Sequence, residues 1–149
     1  MNILVTGHLG YIGSVLTRVL HRCGYTVVGL DTGYFADCYI SEDMQFPDRE
    51  LQKDLRSVEV EDLKEIDAII HLAALSNDPM GELSPALTDE INHLATVQLA
   101  QKARKANISR FILSSSCSIY GTANGSAPLT ERAPLNPVSA YAESKIRAE

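Results

Sequence analysis

ILVTGHLGYIG, from Ile3 to Gly13, is the stretch that decides the fold. Ile3, Leu4 and Val5 form a short apolar run without polar alternation, which suits a strand buried on both faces of a parallel sheet. Gly7, Gly10 and Gly13 follow at intervals of three. A tight turn, close approach of backbone to a pyrophosphate, and close packing of helix on strand each require a missing side chain; amides at the start of the helix then face the anion. The GxxGxxG spacing differs by one residue from the commoner GxGxxG, so it reads as a variant of the dinucleotide fingerprint. Three glycines alone are a weak signal, because ordinary turns contain them. Here they follow an apolar strand and precede Tyr11, Ile12, Val15, Leu16, Val19 and Leu20, a helical pattern that Gly24 closes.

Outward from this turn, Thr26 to Leu30 reads as a second buried strand, and Asp31 stands at its end, 18 residues after Gly13. An acid there accepts hydrogen bonds from ribose hydroxyls and repels a 2′-phosphate, which favours NAD over NADP. Thr32 is neutral, so no arginine is placed to rescue NADP. Leu51 to Leu55 reads as a weaker third strand, with Asp54 and Leu55 on the sheet edge where an adenine would rest. Taken by itself, that Asp reads more simply as a turn cap. Ala68 to Leu72 and Phe111 to Leu113 give the fourth and fifth strands. Between them Leu87, Ile91, Leu94, Ala95, Leu99 and Ala103 predict one long amphipathic helix from Pro85 to Ala106, with Ser84 as N-cap and proline at the first helical position. Strands alternating with helices at this pitch predict an α/β fold, a doubly wound, Rossmann-like parallel sheet. The long connection from Thr32 to Glu50, with Tyr34, Phe35, Tyr39 and Phe46, is either a functional loop or hides a short element.

Composition narrows the partners. The 149 residues are 45% hydrophobic and 21% charged, which fits one globular domain with a core. A formal net charge of -6 without a basic stripe argues against nucleic acid as a partner. Cys23, Cys38 and Cys117 are odd in number and lack metal-ligand spacing, and the chain opens MNILVTG without a charged leader. Reduced thiols and a cytoplasmic setting are expected, and no apolar run approaches the roughly 18 residues of a membrane span. His8, His21, His71 and His93 show no ligand spacing, so no metal is expected and they read as structural or solvated.

Two further stretches fall at the C-terminal ends of strands, where open α/β sheets gather ligands. HLAA, positions 71 to 74, offers Leu72, Ala73 and Ala74, small enough to let backbone approach a cofactor; SSSCSIYG, 114 to 121, offers Ser114 beside the cofactor and Ser116 as a hydroxyl donor. Tyr141 and Lys145, four apart in SAYAESKIRAE, leave one face of a helix a turn apart. On spacing alone that pair is most simply a surface pair. A phenol has an unperturbed pKa near 10, and each unit of depression takes about 1.4 kcal/mol from nearby positive charge. Lys145 and an oxidised nicotinamide both carry such charge. Tyr141 could then take a proton from a sugar or alcohol hydroxyl while the carbon beneath gives hydride to NAD, with Ser116 bonded to the same oxygen.

With TGHLGYIG, Asp31, Asp54-Leu55, HLAA, Asn92, SSSCSIYG and YAESK together, the sequence resembles the extended short-chain dehydrogenase/reductase superfamily, in its NAD-dependent nucleotide-sugar epimerase/dehydratase branch, from Met1 to Glu149. The resemblance implies that Tyr11 and Ile12 contact the pyrophosphate, that Asp54 binds adenine, and that Asn92 lies near the cofactor. It also implies that Ser116, Tyr141 and Lys145 are the catalytic trio, the last two touching the cofactor as well. Family dehydratases place Asp and Glu straight after the catalytic Ser/Thr, whereas Cys117 and Ser118 stand there. That departure favours an epimerase of the UDP-glucose 4-epimerase type, with a keto-sugar reductase or a non-catalytic NAD-binding sensor as competing readings. Cys117 reads as small filler or, less simply, as a second acid/base. Thr88 and Ala95 stand where a tyrosine and a glycine are common. Family members are about twice this length, so residues 1–149 are expected to be a truncated NAD-binding domain lacking the C-terminal substrate domain, able to bind NAD but not to turn over a nucleotide sugar. The resemblance further implies a homodimer built on the helix from Pro85 to Ala106 and the one beginning near Ser139.

Overall fold

The computed structural model describes residues 1–36, 38, 45–122 and 128–149. Tyr39 lies outside the described residues. The described chain divides into two compact units, one of residues 1–73 and 98–114, the other of residues 74–97 and 115–149.

The first unit holds a five-stranded parallel sheet ordered β3-β2-β1-β4-β5, from β1 (Asn2–Thr6), β2 (Thr26–Asp31), β3 (Arg49–Gln52), β4 (Ala68–His71) and β5 (Arg110–Leu113). This order agrees with the doubly wound, Rossmann-like parallel sheet that the sequence predicts. Chain order reverses direction at β1, which puts the switch point, and hence the ligand crevice, at the C-terminal end of β1. Leu4, Val5, Val27 and Ile69 are fully buried, as the apolar runs require. Helix α1 (Tyr11–Arg22) lays Leu16 and Leu20 on Ile3, Val5 and Val27, and the Thr17 hydroxyl donates to Gly13 O at 3.0 Å.

Three expectations need correction. The third strand stops at Gln52, because Asp54 turns the chain by capping a short 3-10 turn, Leu55–Ser57. A helix absent from the sequence reading, α2 (Asp78–Leu83), occupies the second unit, where the Asn77 side chain caps Met80 N–H at 3.0 Å and Pro79 sits in the first turn. The single helix expected over 85–106 is three pieces: α3 (Pro85–Asp89), a π-helical turn (Glu90–Leu94) and α4 (Ala95–Lys105). Ser84 makes no side-chain cap bond. Helix α5 (Ala140–Ala148) starts at Ser139, whose hydroxyl accepts from Ala142 N–H at 3.1 Å.

Candidate functional site: a glycine cradle and a tyrosine-lysine helix

In the first unit, Gly7 follows β1 with φ +72°, a backbone that side-chain-bearing residues adopt at a cost. A Cβ there would also stand 2.8 Å from Ala73 N and 3.0 Å from Leu72 C, so the turn lies flush against the backbone leaving β4. At Gly13 a Cβ would fall 2.2 Å from Gly7 O. The absent side chains therefore bring the first turn of α1 onto the glycine loop itself. The first bond of the helix runs from Ser14 N–H to Gly10 O, leaving the amides of Tyr11, Ile12 and Gly13 ahead of it for an anion. Tyr11 and Ile12 stand 86% and 59% exposed above them. These residues fit a dinucleotide pyrophosphate.

Thr6, which the sequence reading passed over, ties this crevice together. Its fully buried hydroxyl accepts from Leu72 N–H at 3.2 Å and Ala73 N–H at 3.1 Å and pairs with His71 Nδ1 at 2.6 Å. A buried threonine closing a strand at a glycine turn was the available signal. Asp31 accepts from Leu9 N–H at 3.1 Å and from Gly33 N–H at 3.0 Å, so it braces the glycine loop at the end of β2, where a ribose acceptor is needed. Ser114 N–H donates to His71 O at 3.1 Å at the end of β5. Ala74, in the second unit, is half-buried.

Asp54 caps Arg56 N–H at 2.9 Å and holds the Arg56 guanidinium through two further bonds, of 2.9 and 2.7 Å. The Arg56 hydrogen bonds, offset in part by burial, hold its carboxyl below the usual carboxylate range. Its carboxylate is committed to the turn, and Leu55 is buried beside it. His8 is 2% exposed, with Nε2 at 3.2 Å from Glu50 Oε1 and no partner for Nδ1 among the described residues. No cluster of His, Cys, Asp or Glu suited to a metal ion occurs among the described residues.

In the second unit, Tyr141 and Lys145 leave α5 one turn apart, with Nζ 5.7 Å from the phenol ring centroid. Lys145 is 4% exposed, and burial pushes its amine below the ordinary lysine value, Glu149 partly offsetting this. Burial also pushes the Tyr141 phenol up; a hydrogen bond with Ser116 pulls it down, and Asp78 and Cys117 push it up again. In the chain alone the phenol is thus raised, whereas the sequence reading drew its depression from Lys145 together with an oxidised nicotinamide. Ser116 caps the 3-10 turn Cys117–Tyr120, accepting from Ser118 N–H at 3.2 Å. Cys117 is a free, exposed thiol.

α5 is held from both sides of this pair. At Gly81 of α2 a Cβ would stand 2.9 Å from Tyr141 Cβ and 3.1 Å from Tyr141 N, so α2 rests directly on the tyrosine's backbone. Glu82 accepts from Ala140 N–H at 2.6 Å, and Ser139 bonds Asp78. Thr88, fully buried, donates to Gly81 O at 2.9 Å or Ser84 O at 3.0 Å. Asn92, 2% exposed, spends all its polar atoms on protein: Oδ1 accepts from Leu75 N–H at 2.8 Å, and Nδ2 donates to Leu75 O and Ser144 Oγ at 3.1 Å each. It is a brace for α5 and the loop after β4.

A model of the NAD-dependent epimerase/dehydratase family matches residues 3–149. A UDP-glucose 4-epimerase of Lactobacillus helveticus is 31% identical over 150 residues, covering all of this chain and 45% of its own. Among solved structures, a UDP-N-acetylglucosamine 4-epimerase from Methanobrevibacter ruminantium superposes with TM-score 0.87 at 31% identity, over 99% of this chain and 48% of that one. TunA, an NAD-dependent NDP-hexosamine 5,6-dehydratase of tunicamycin biosynthesis, gives 0.86 at 28% identity, over 99% and 48%. The chain spans about half the length of the relatives it matches.

Proposed function

Because the chain belongs to the NAD-dependent epimerase/dehydratase family, we propose that it is the cofactor-binding part of a nucleotide-sugar 4-epimerase of the UDP-glucose kind, working through a transient keto-sugar. Support from the relatives is coarser, since both epimerases and a dehydratase stand among them. One observation carries the reading: Tyr141 and Lys145 share a face of α5, with Ser116 hydrogen-bonded to the phenol.

NAD is the family's cofactor, and Gly7, Gly10, Gly13, Asp31 and the amides of Tyr11 and Ile12 are the groups that would hold it. The chemistry it supplies when bound is reversible hydride transfer. Tyr141 takes the proton from the hydroxyl of the carbon being oxidised, and Ser116 hydrogen-bonds the same oxygen. With the phenol raised by burial, its ionisation needs a nearby cation, which Lys145 and the oxidised nicotinamide provide. After the ketone turns its other face, Tyr141 returns the proton. No carboxylate follows Ser116 to expel water, since Cys117 and Ser118 stand there, and this favours epimerisation over dehydration. The same gap fits a keto-sugar reductase as a second reading.

In a full-length form, Tyr141→Phe is expected to lower interconversion of UDP-glucose and UDP-galactose by about 10²–10⁴-fold while NAD still binds. Unchanged turnover in that variant sinks the assignment. Net consumption of NADH with a keto-sugar, in place of cofactor recycling, identifies the reductase.

A further inference from the structure

His8 sits inside the glycine loop, and two glycines leave room for it. At Gly13 a Cβ would stand 2.6 Å from His8 Cα, and at Gly29 of β2 a Cβ would stand 2.6 to 2.7 Å from three atoms of the imidazole ring. The ring therefore rests directly on the Gly29 backbone. Gly29 pairs in register with Val5 of β1 on one side and Glu50 of β3 on the other, so the three share the sheet face on which α1 packs. Across the gap that Gly29 leaves, His8 Nε2 reaches Glu50 Oε1 at 3.2 Å.

The other ring nitrogen works against the fold. His8 is 2% exposed and Nδ1 has no partner among the described residues. The carboxylate in front of Nε2 assigns the ring proton to that atom, which leaves Nδ1 a bare acceptor shut away from water. An unsatisfied buried polar atom is destabilising, and an apolar side chain of similar bulk on Gly29 avoids it. What the imidazole adds is a fixed loop. Among the described residues two side-chain bonds tie the loop to the sheet, Leu9 N–H to Asp31 at 3.1 Å and His8 to Glu50. Asp31 is also the acceptor suited to a ribose, so the bond made by His8 is the tie that no cofactor group claims.

We propose that the His8–Glu50 pair positions the cofactor loop, holding the turn between Gly7 and Gly10 on β2 and β3 so that the amides of Tyr11, Ile12 and Gly13 are set in advance for a pyrophosphate. The inference rests on the NAD-binding role proposed above. His8 acts through the loop backbone. Donors fixed beforehand bind an anion without first ordering a loop, so loss of the tie weakens NAD while the sheet and its core remain.

The test measures NAD affinity of the 149-residue chain by titration calorimetry and, separately, its Tm without NAD. His8→Leu keeps apolar bulk on Gly29 and removes both ring nitrogens. It is expected to weaken NAD about tenfold, as for a lost hydrogen bond to a charged group, while Tm holds or rises. A residue that serves stability alone lowers both when replaced. Glu50→Ala, at a side chain 46% exposed, removes the acceptor instead; it is expected to give the same loss, and keeps the test decisive if His8→Leu does not fold. The two changes together are expected to lose no more than either alone. His8→Gln, which offers an amide N–H donor to Glu50, is expected to recover affinity to within about threefold of the unaltered chain. Additive losses in the double variant, a fall in Tm that tracks the loss of affinity, or no recovery in His8→Gln overturns the proposal. Binding that ignores both substitutions removes this inference alone, whereas no NAD binding by the unaltered chain removes the cofactor role and the inference with it.

Discussion

Tyr141 is poised by opposing influences. Burial lifts its pKa, and the Ser116 hydrogen bond is the lowering influence within the chain. A base works when deprotonated, so its rate falls as pH drops below its pKa. In a full-length, NAD-loaded form, Ser116→Ala is therefore expected to move the acid limb of kcat/KM to higher pH, read from a pH-rate profile; a limb that stays in place removes Ser116 from the proton path. Lys145 shows the converse balance, since burial lowers its amine below the ordinary 10.5. Between the folded and unfolded values the unfolded chain binds more protons, so stability contributed by this site rises with pH toward 10.5. Lys145→Met is expected to flatten that slope and to raise Tm at neutral pH while abolishing turnover, as calorimetry across pH would show. The lysine is then a catalytic group held at a cost to stability.

Elements depend on close contacts that small changes break. Gly13→Ala drives a Cβ to 2.2 Å from Gly7 O, a backbone atom that cannot swing away. A loss of about 1–3 kcal/mol in urea unfolding is expected, with NAD affinity lost in step. Asn92→Ala leaves the part-buried Leu75 amide and carbonyl without their side-chain partner, at about 1–3 kcal/mol. The strands and α1 were legible because apolar runs and glycine spacing are local signals that packing leaves intact. The break in the long helix was not, because Glu90 to Leu94 keeps helical periodicity while Asn92 turns inward to bond Leu75 and Ser144, a tertiary demand. Helix α2 had a signal that went unused, Asn77 ahead of Pro79. Of the site, residue types and helix positions could be read; Thr6 as the tie at the crevice, and the inward commitment of Asn92 and Asp54, appear only when distant segments meet.

For the whole molecule, the 149-residue chain is expected to bind NAD, with stability rising by about 2.7 kcal/mol at a hundredfold excess over Kd, and to turn over no nucleotide sugar. Robust steady-state turnover by these residues would contradict the division of labour proposed between them and the rest of a full-length relative. Dimerisation through α3 to α5 is a further proposal, supported by Leu87 and Leu94 at 37% and 46% exposure; Leu94→Glu is expected to yield monomers in sedimentation. The polypeptide passes from one compact unit to the other at 73/74, 97/98 and 114/115, so neither unit is a continuous stretch. Genetic recombination at a single breakpoint cannot hand one unit to a new host gene without the other. A single cut that frees all of one unit therefore carries part of the other with it, so the glycine cradle and the helix of Tyr141 cannot be separated as two intact pieces by truncation at one point.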